Sequence, residues 1–135
     1  NKMAGEIKFA SVGHMKKGSY IIIEGAACVV SDVSVSRPGK HGHAKVNLTA
    51  VGMIDNKKRN IIMPGHDNVE VPIIGKKNAQ VLSVTGNSAN VMDVETYETF
   101  DLDIPEEFQG QVKEGDTVLY WEILNDRVIK QIKSE

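Results

Sequence analysis

The residues with the most chemistry to offer stand together in one segment, Ser36-Arg37-Pro38-Gly39-Lys40-His41-Gly42-His43-Ala44-Lys45. Arg37, Lys40 and Lys45 carry fixed positive charge, His41 and His43 lie between them, and no acidic residue occurs from Val33 through Ile54. Cations without interleaved anions suit a phosphate backbone. The segment lies between two alternating stretches, so it reads as a hairpin loop, longer than the two to five or so residues that chain reversal requires. Pro38 sets φ ahead of the tip, and Gly39 and Gly42 allow tight turns on either side of the lysine. The expected shape is a projecting finger with Lys40 at its end.

Other chemistries fit these residues less well. A phosphate-binding P-loop would need glycine five residues before Gly39 and Ser or Thr after the lysine; those positions hold Ser34 and His41, and no helix follows. His41 and His43 would face the same way in an extended chain, but two histidines without an acidic or cysteine neighbour make a poor metal shell, so no metal is expected. A nucleotide-using enzyme built on Lys40 and the two histidines would lack any carboxylate and any paired acid and base. No catalytic residue is assigned, and the chain is not read as an enzyme.

The elements that must hold this loop are strands. Period-two patterns and turn signals dominate, and sustained helical periodicity is nearly absent. Tyr20–Ile23, Cys28–Val35, Lys45–Val51 and Ile61–Met63 read as strands, with Asp55–Lys58 as a charged hairpin tip. Val33 and Val35 fall opposite Asp32 and Ser34, and Val46, Leu48 and Ala50 fall opposite Lys45, Asn47 and Thr49. Pro72, which lacks a ladder donor, marks Glu70–Gly75 as an edge or linker. Beyond it come Ala79–Thr85, Ala89–Val94, Tyr97–Leu102, Asp116–Leu124 and Arg127–Ile132, with a short helix expected at Pro105–Phe108. Five short strands and one brief helix match a small OB-type barrel. The expected fold class is all-β, an SH3-like barrel over residues 1–72 followed by an OB-fold barrel over 73–135.

The charge divides at the same place. Residues 1–72 hold ten Lys/Arg against six Asp/Glu and all four histidines, whereas residues 73–135 hold six against twelve. The net charge of -2 conceals this division. A basic half points to a polyanionic partner; the acidic half serves solubility. The 135 residues are 41% hydrophobic and 25% charged, a globular balance. The longest apolar candidate for a span, Tyr20–Ile23, stops at Glu24, far short of the roughly 20 residues a membrane helix needs. With no secretion signal and a single cysteine, Cys28, a cytoplasmic location is expected.

The Pro38–Lys45 motif, Pro-Gly-Lys-His-Gly-His-Ala-Lys, resembles the modification loop of the translation initiation factor 5A family of archaea and eukaryotes. Val71-Pro72-Ile73-Ile74 is similar to the family's interdomain segment and Ala79-Gln80-Val81-Leu82 to the strand that follows. Met92-Asp93-Val94-Glu95-Thr96-Tyr97-Glu98 resembles the archaeal form. The resemblance leaves out roughly the first dozen residues, and Asn1–Ala10 are assigned no role. Ala26-Ala27-Cys28 departs from the family's usual acidic-or-polar, proline, cysteine sequence, a change expected to affect only a turn. Met15-Lys16-Lys17-Gly18 resembles a family turn and is assigned no chemistry.

The resemblance implies that Lys40 is modified to deoxyhypusine or hypusine, by transfer of an aminobutyl group from spermidine by deoxyhypusine synthase and, in many organisms, a hydroxylation. No other cofactor is implied. Arg37, Pro38, Gly39, His41, Gly42, His43, Ala44 and Lys45 become the contacts to tRNA and to the synthase. The implied partners are the ribosome, the peptidyl-site tRNA and the synthase, with the factor acting as a monomer in elongation, at stalled proline-rich sequences and in termination. The residues by themselves leave an alternative, a general RNA-binding protein that uses the basic barrel unmodified. Elsewhere, Cys28 reads as a small core residue, and of the adjoining Tyr120 and Trp121 one is expected to face the core and the other a groove, with core packing favoured over base stacking. Tyr97 and Phe100 are expected in the core or at its rim.

Overall fold

The structure is a computed structural model that describes residues 6–37 and 44–133. Strands dominate it, and among the described residues there is no α-helix. The chain divides into two compact units, Glu6–Ile73 and a second that begins at Ile74.

The strands of the first unit are β1 (Glu6–Ser11), β2 (Tyr20–Ile23), β3 (Ala26–Ser36), β4 (Lys45–Gly52), β5 (Lys58–Pro64) and β6 (Asn68–Ile73), with a 3-10 turn at Val12–His14. β2 to β5 form an antiparallel meander in chain order, and β1 pairs with β6 in a separate ladder. This is an SH3-like barrel. Alternation along β4 sends Val46, Leu48 and Ala50 inward, where they pack with Ile21, Cys28, Val30, Val69 and Val71, while Lys45 and Asn47 stay exposed. Burial of each larger aliphatic side chain stabilises the unit by about 1.5–3 kcal/mol. Cys28 is fully buried, as its apolar strand leads one to expect, and burial pushes its thiol pKa up.

Two features of this unit differ from the sequence reading. Residues assigned no role form β1, in which Ile7 pairs with Pro72 and Phe9 with Glu70. The signal was the alternation of Ile7 and Phe9 with charged neighbours, but both side chains are exposed, Phe9 by 67%, so the strand has no buried stripe to announce it. The second feature is a bulge: the register of β3 against β4 slips between Val30 and Asp32. An extra residue bends a strand and changes which side chains it buries. Beyond the bulge Val33 still packs on the core, but Val35 is half exposed rather than sharing its burial. Pro72 lies inside β6, where it is buried; a strand with a single ladder partner tolerates a missing donor.

The second unit contains β7 (Gly75–Thr85), β8 (Ser88–Asp93), β9 (Thr99–Asp103), β10 (Thr117–Ile123) and β11 (Asp126–Lys133), in sheet order β11-β10-β7-β8-β9. β9 and β11, at the two ends of that order, also approach each other and curl the sheet into an OB-type barrel. Its core joins Ala79, Val81, Ala89, Val91, Leu102, Val118, Tyr120 and Ile129. The helix expected at Pro105–Phe108 is a single 3-10 turn, Glu106–Phe108. Pro105 precedes it in an extended conformation, and Gly110 at φ 81° turns the chain away soon after.

Charge enters this second core in a form the sequence did not announce. Asp93 is 2% exposed; its Oδ2 accepts a 2.5 Å hydrogen bond from the Tyr120 hydroxyl, and its Oδ1 accepts from the amides of Glu95 (2.8 Å) and Thr96 (3.0 Å). Burial opposes the Asp93 charge, but these donors prevail and hold its pKa below the ordinary aspartate range. Glu122, also buried, is paired by Lys77 Nζ at 2.8 Å and Arg127 Nε at 3.1 Å, and Arg127 reaches on to Glu98 at 3.2 Å. The Arg127 guanidinium lies 4.1 Å from the centre of the Phe100 ring, which meets Tyr120 edge-on.

Removing the Tyr120 hydroxyl leaves a buried carboxylate oxygen without that donor. Tyr120→Phe is expected to lower stability to urea by about 1–3 kcal/mol, read from denaturation midpoints at pH 7. Because the folded pKa of Asp93 is depressed, its stabilisation is fully present above the unfolded value of about 4 and is lost as pH falls through the lower folded value. Asp93→Asn should therefore flatten the loss of stability below about pH 4 relative to the wild type. An unchanged acid profile in the variant would contradict this assignment.

Candidate functional site

Of the loop singled out in the sequence, Ser36, Arg37, Ala44 and Lys45 are described; Pro38, Gly39, Lys40, His41, Gly42 and His43 lie outside the described residues. The described geometry is that of the loop's base. β3 and β4 stay paired to their ends, with Val35 opposite Val46 and Ser36 opposite Lys45, and Lys45 is in turn opposite Pro64 of β5.

A chain of backbone hydrogen bonds ties this base to the rest of the unit. The Gly65 amide donates to the Ala44 carbonyl at 2.9 Å, and the Gly65 carbonyl accepts from the Gly13 amide at 2.9 Å and from the Ser11 hydroxyl at 2.8 Å. One residue on, the Val12 amide donates to Asp67 O at 2.8 Å. The approach is close because Gly13 has no side chain: a Cβ there would stand 2.7 Å from the Gly65 carbonyl oxygen. Thus the end of β1, the β5–β6 turn and the start of β4 are stitched together beside the loop.

These three segments and the end of β3 line an open cavity of about 390 Å³. Its rim carries Arg37, His14 and His66, its apolar wall includes Val35 and Val46, and no Asp or Glu is among the described residues that line it. His14 and His66 were not singled out as site residues. The only hint was that all four histidines fall in the basic half, and it takes the β1–β6 ladder to bring these two to the loop base. Asp67 stands beside the cavity, its Oδ1 3.7 Å from His66 Nε2. A second cavity of about 340 Å³ is lined by Ser34, Val35, Ser36, Lys45, Asn47 and Ile62. Among the described residues no group of three His, Cys, Asp or Glu is placed to hold a metal ion; His41 and His43 lie outside them.

In the second unit Tyr120 is the residue that faces the core. Trp121 turns outward and is half-buried, with Lys76 Nζ 4.8 Å and Lys130 Nζ 4.9 Å from its ring centre. Cations in that position are attracted to the ring face. Tyr97, expected in the core or at its rim, is instead 71% exposed, at φ 63° in the β8–β9 turn. The turn is closed by the Asp93 carboxylate and by the Tyr97 amide donating to Asp93 O, so position 97 points away from the core. Phe100 packs against the core as expected.

Comparison with known proteins agrees with this geometry. A family model described as "Translation initiation factor 5A-like, N-terminal" matches residues 7–67, which span most of the first unit. The protein named translation initiation factor 5A from Archaeoglobus fulgidus is 44% identical over 121 residues, covering 90% of this chain and 94% of that protein. The protein of the same name from Korarchaeum cryptofilum is 48% identical over 121 residues, covering 88% and 90%. The solved structure titled eukaryotic translation initiation factor 5A from Methanococcus jannaschii superposes with a TM-score of 0.83 at 39% identity, covering 93% of this chain and 94% of that one. These relatives are named as translation factors.

The close contact at Gly13 has a consequence that can be measured. Gly13→Ala sets a Cβ against a backbone oxygen that cannot rotate away, and should destabilise the first unit by about 1–3 kcal/mol. Gly65→Ala places its Cβ at 3.5 Å from the nearest Ala44 atom, an ordinary contact, and should change stability by no more than about 0.5 kcal/mol. Urea denaturation of both variants checks the contrast; equal effects would contradict it.

Proposed function

Since the chain belongs to the translation initiation factor 5A family, we propose that it acts on the ribosome in the cytoplasm, through Lys40 converted to deoxyhypusine or hypusine. The observation that carries the reading is the uninterrupted Pro38–Lys45 motif in a chain that matches family members along almost their whole length. The anchored hairpin base and the exposed Arg37 and Lys45 at its two arms support the reading, because a long flexible group needs a rigid origin and RNA needs cations. No helix of the described residues is long and apolar enough to cross a membrane.

The chemistry is one of positioning. A lysine stem already reaches far from the backbone, and an aminobutyl arm lengthens it and adds a second amine. Such an arm threads among phosphates and bases and holds the end of the peptidyl-site tRNA in a productive geometry without itself reacting. Correct orientation of two reactants accounts for a large share of a barrier, which is how a factor that turns over no substrate promotes peptide-bond formation at poor sequences such as proline runs. The factor does this as a monomer and depends on deoxyhypusine synthase for its working group.

A second reading, general RNA binding by the basic unit without modification, draws on Arg37 and Lys45, both exposed at the described loop base. Peptide mass mapping across Lys40 in protein purified from its native host separates the two. A gain of one aminobutyl group, with or without one oxygen, is expected. Unmodified Lys40 in native material would remove the first reading and leave the second. In addition, a strain carrying Lys40→Arg should make folded protein yet fail in the factor's role, since arginine keeps the charge but does not accept the aminobutyl group. Normal growth of that strain would overturn the proposal.

A further inference from the structure

We propose that the outward face of β7, β10 and β11, where Lys76 and Lys130 flank Trp121, docks a short acidic segment of a partner protein. The inference goes beyond the reading above, since it concerns the second unit and does not involve Lys40. Its first support is how charge is sorted. Within residues 73–135 these three strands hold five of the six Lys/Arg but only two of the twelve Asp/Glu. One of those two acids, Glu122, is buried and paired by Lys77 and Arg127; the other, Asp126, opens β11 at the hairpin turn. Lys76, Lys130 and Lys133 are left exposed, and among the described residues no carboxylate pairs with them.

The second support is that the strands aim these lysines at one face. Register sets Lys76 opposite Trp121 and Asn78 opposite Leu119. On the other side of β10, Trp121 is opposite Val128 and Thr117 opposite Lys133, whose Nζ reaches Asn78 Oδ1 at 3.5 Å. A slip in register between Leu119 and Tyr120 leaves Lys130 without a partner on β10, and its Nζ stands 4.9 Å from the Trp121 ring centre. Half-buried Leu119, Trp121 and Val128 thus form an apolar strip with lysines along it. Apolar contact in the middle and cations at the margin suit a segment that mixes carboxylates with aliphatic side chains.

The same features favour a protein over RNA. Two ammonium groups already stand against the Trp121 ring, at 4.8 Å and 4.9 Å from its centre, where a base would have to stack. The OB face that customarily takes oligonucleotides is built on the second and third strands, here β8 and β9, and β9 exposes Asp101 and Asp103. A long polyanion would also have to cross the acids around the patch, whereas a short acidic segment ends with it.

Trp121 is the chain's single tryptophan, so its fluorescence reports on this face. The test titrates the full chain with a short peptide repeating Glu-Glu-Leu, with the same peptide carrying Gln in place of Glu, and with an oligouridylate of similar length. The acidic peptide is expected to shift Trp121 emission, to bind on the order of tenfold more tightly than the neutral one, and to weaken as salt is added. Lys76→Gln and Lys130→Gln should each weaken it by about two- to fivefold. Lys113→Gln, the same charge change at the unit's cation outside the three strands, should leave it unaltered. All three side chains are exposed, so the variants are expected to fold. An emission that does not respond to the acidic peptide, equal binding of both peptides, or equal losses in Lys113→Gln and Lys130→Gln would overturn the proposal. So would an oligouridylate that shifts the emission at lower concentration than the acidic peptide. None of these results bears on Lys40, whose role the mass mapping decides separately.

Discussion

The carbonyl oxygen of Gly65 is where the loop-bearing end of the first unit is fastened. It accepts the Gly13 amide and the Ser11 hydroxyl together, while the amide of the same residue holds the carbonyl of Ala44. Each is a short backbone-centred bond, and the crossing is possible only because position 13 carries no side chain. The placement of the β3–β4 hairpin end, of Arg37 on one arm and of the cavity beside it all follow from this junction. A loop whose reach matters must start from a fixed point, because every degree of freedom at its base spreads the positions of its tip.

The second unit applies the same economy to charge. Five strands leave a small interior, and the inward face of β10 carries a tyrosine and a glutamate beside its valine. Neither polar group is left unsatisfied: Tyr120 donates to Asp93, which also closes the β8–β9 turn, and Glu122 is held by Lys77 and Arg127. Buried charges are tolerated when every one is paired, and these pairs connect β7, β8, β10 and β11 across the barrel. The acidic excess that appears along this half of the sequence is thus partly structural. Some of its carboxylates work inside the fold rather than at its surface.

Most strands were legible in the sequence because alternation and turn residues agreed. Tyr20–Ile23, bounded by Glu24-Gly25, appears as β2 with the same limits, and Lys45–Val51 is β4 within one residue. β1 was not legible: its large apolar residues are exposed, so its pattern looks like any short charged stretch, and it exists because β6 offers a partner roughly sixty residues away. The exposure of Tyr97 was misjudged for a related reason. An aromatic residue reads as core by composition, but the turn built on Asp93 directs that position outward.

What the sequence determined by itself was the class of strands, the division of charge between the halves, and the chemical identity of the loop from Arg37 to Lys45. These properties are local, since they depend on residue type and on spacings of two to ten residues. Tertiary structure decided what stands at the loop's base. His14 and His66 are fifty-two positions apart in the chain and become neighbours of Arg37 only when β1 pairs with β6 and Gly13 closes on Gly65. Such proximity has no sequence period; it comes from hydrogen bonds between distant backbones, and those form only once the barrel has folded.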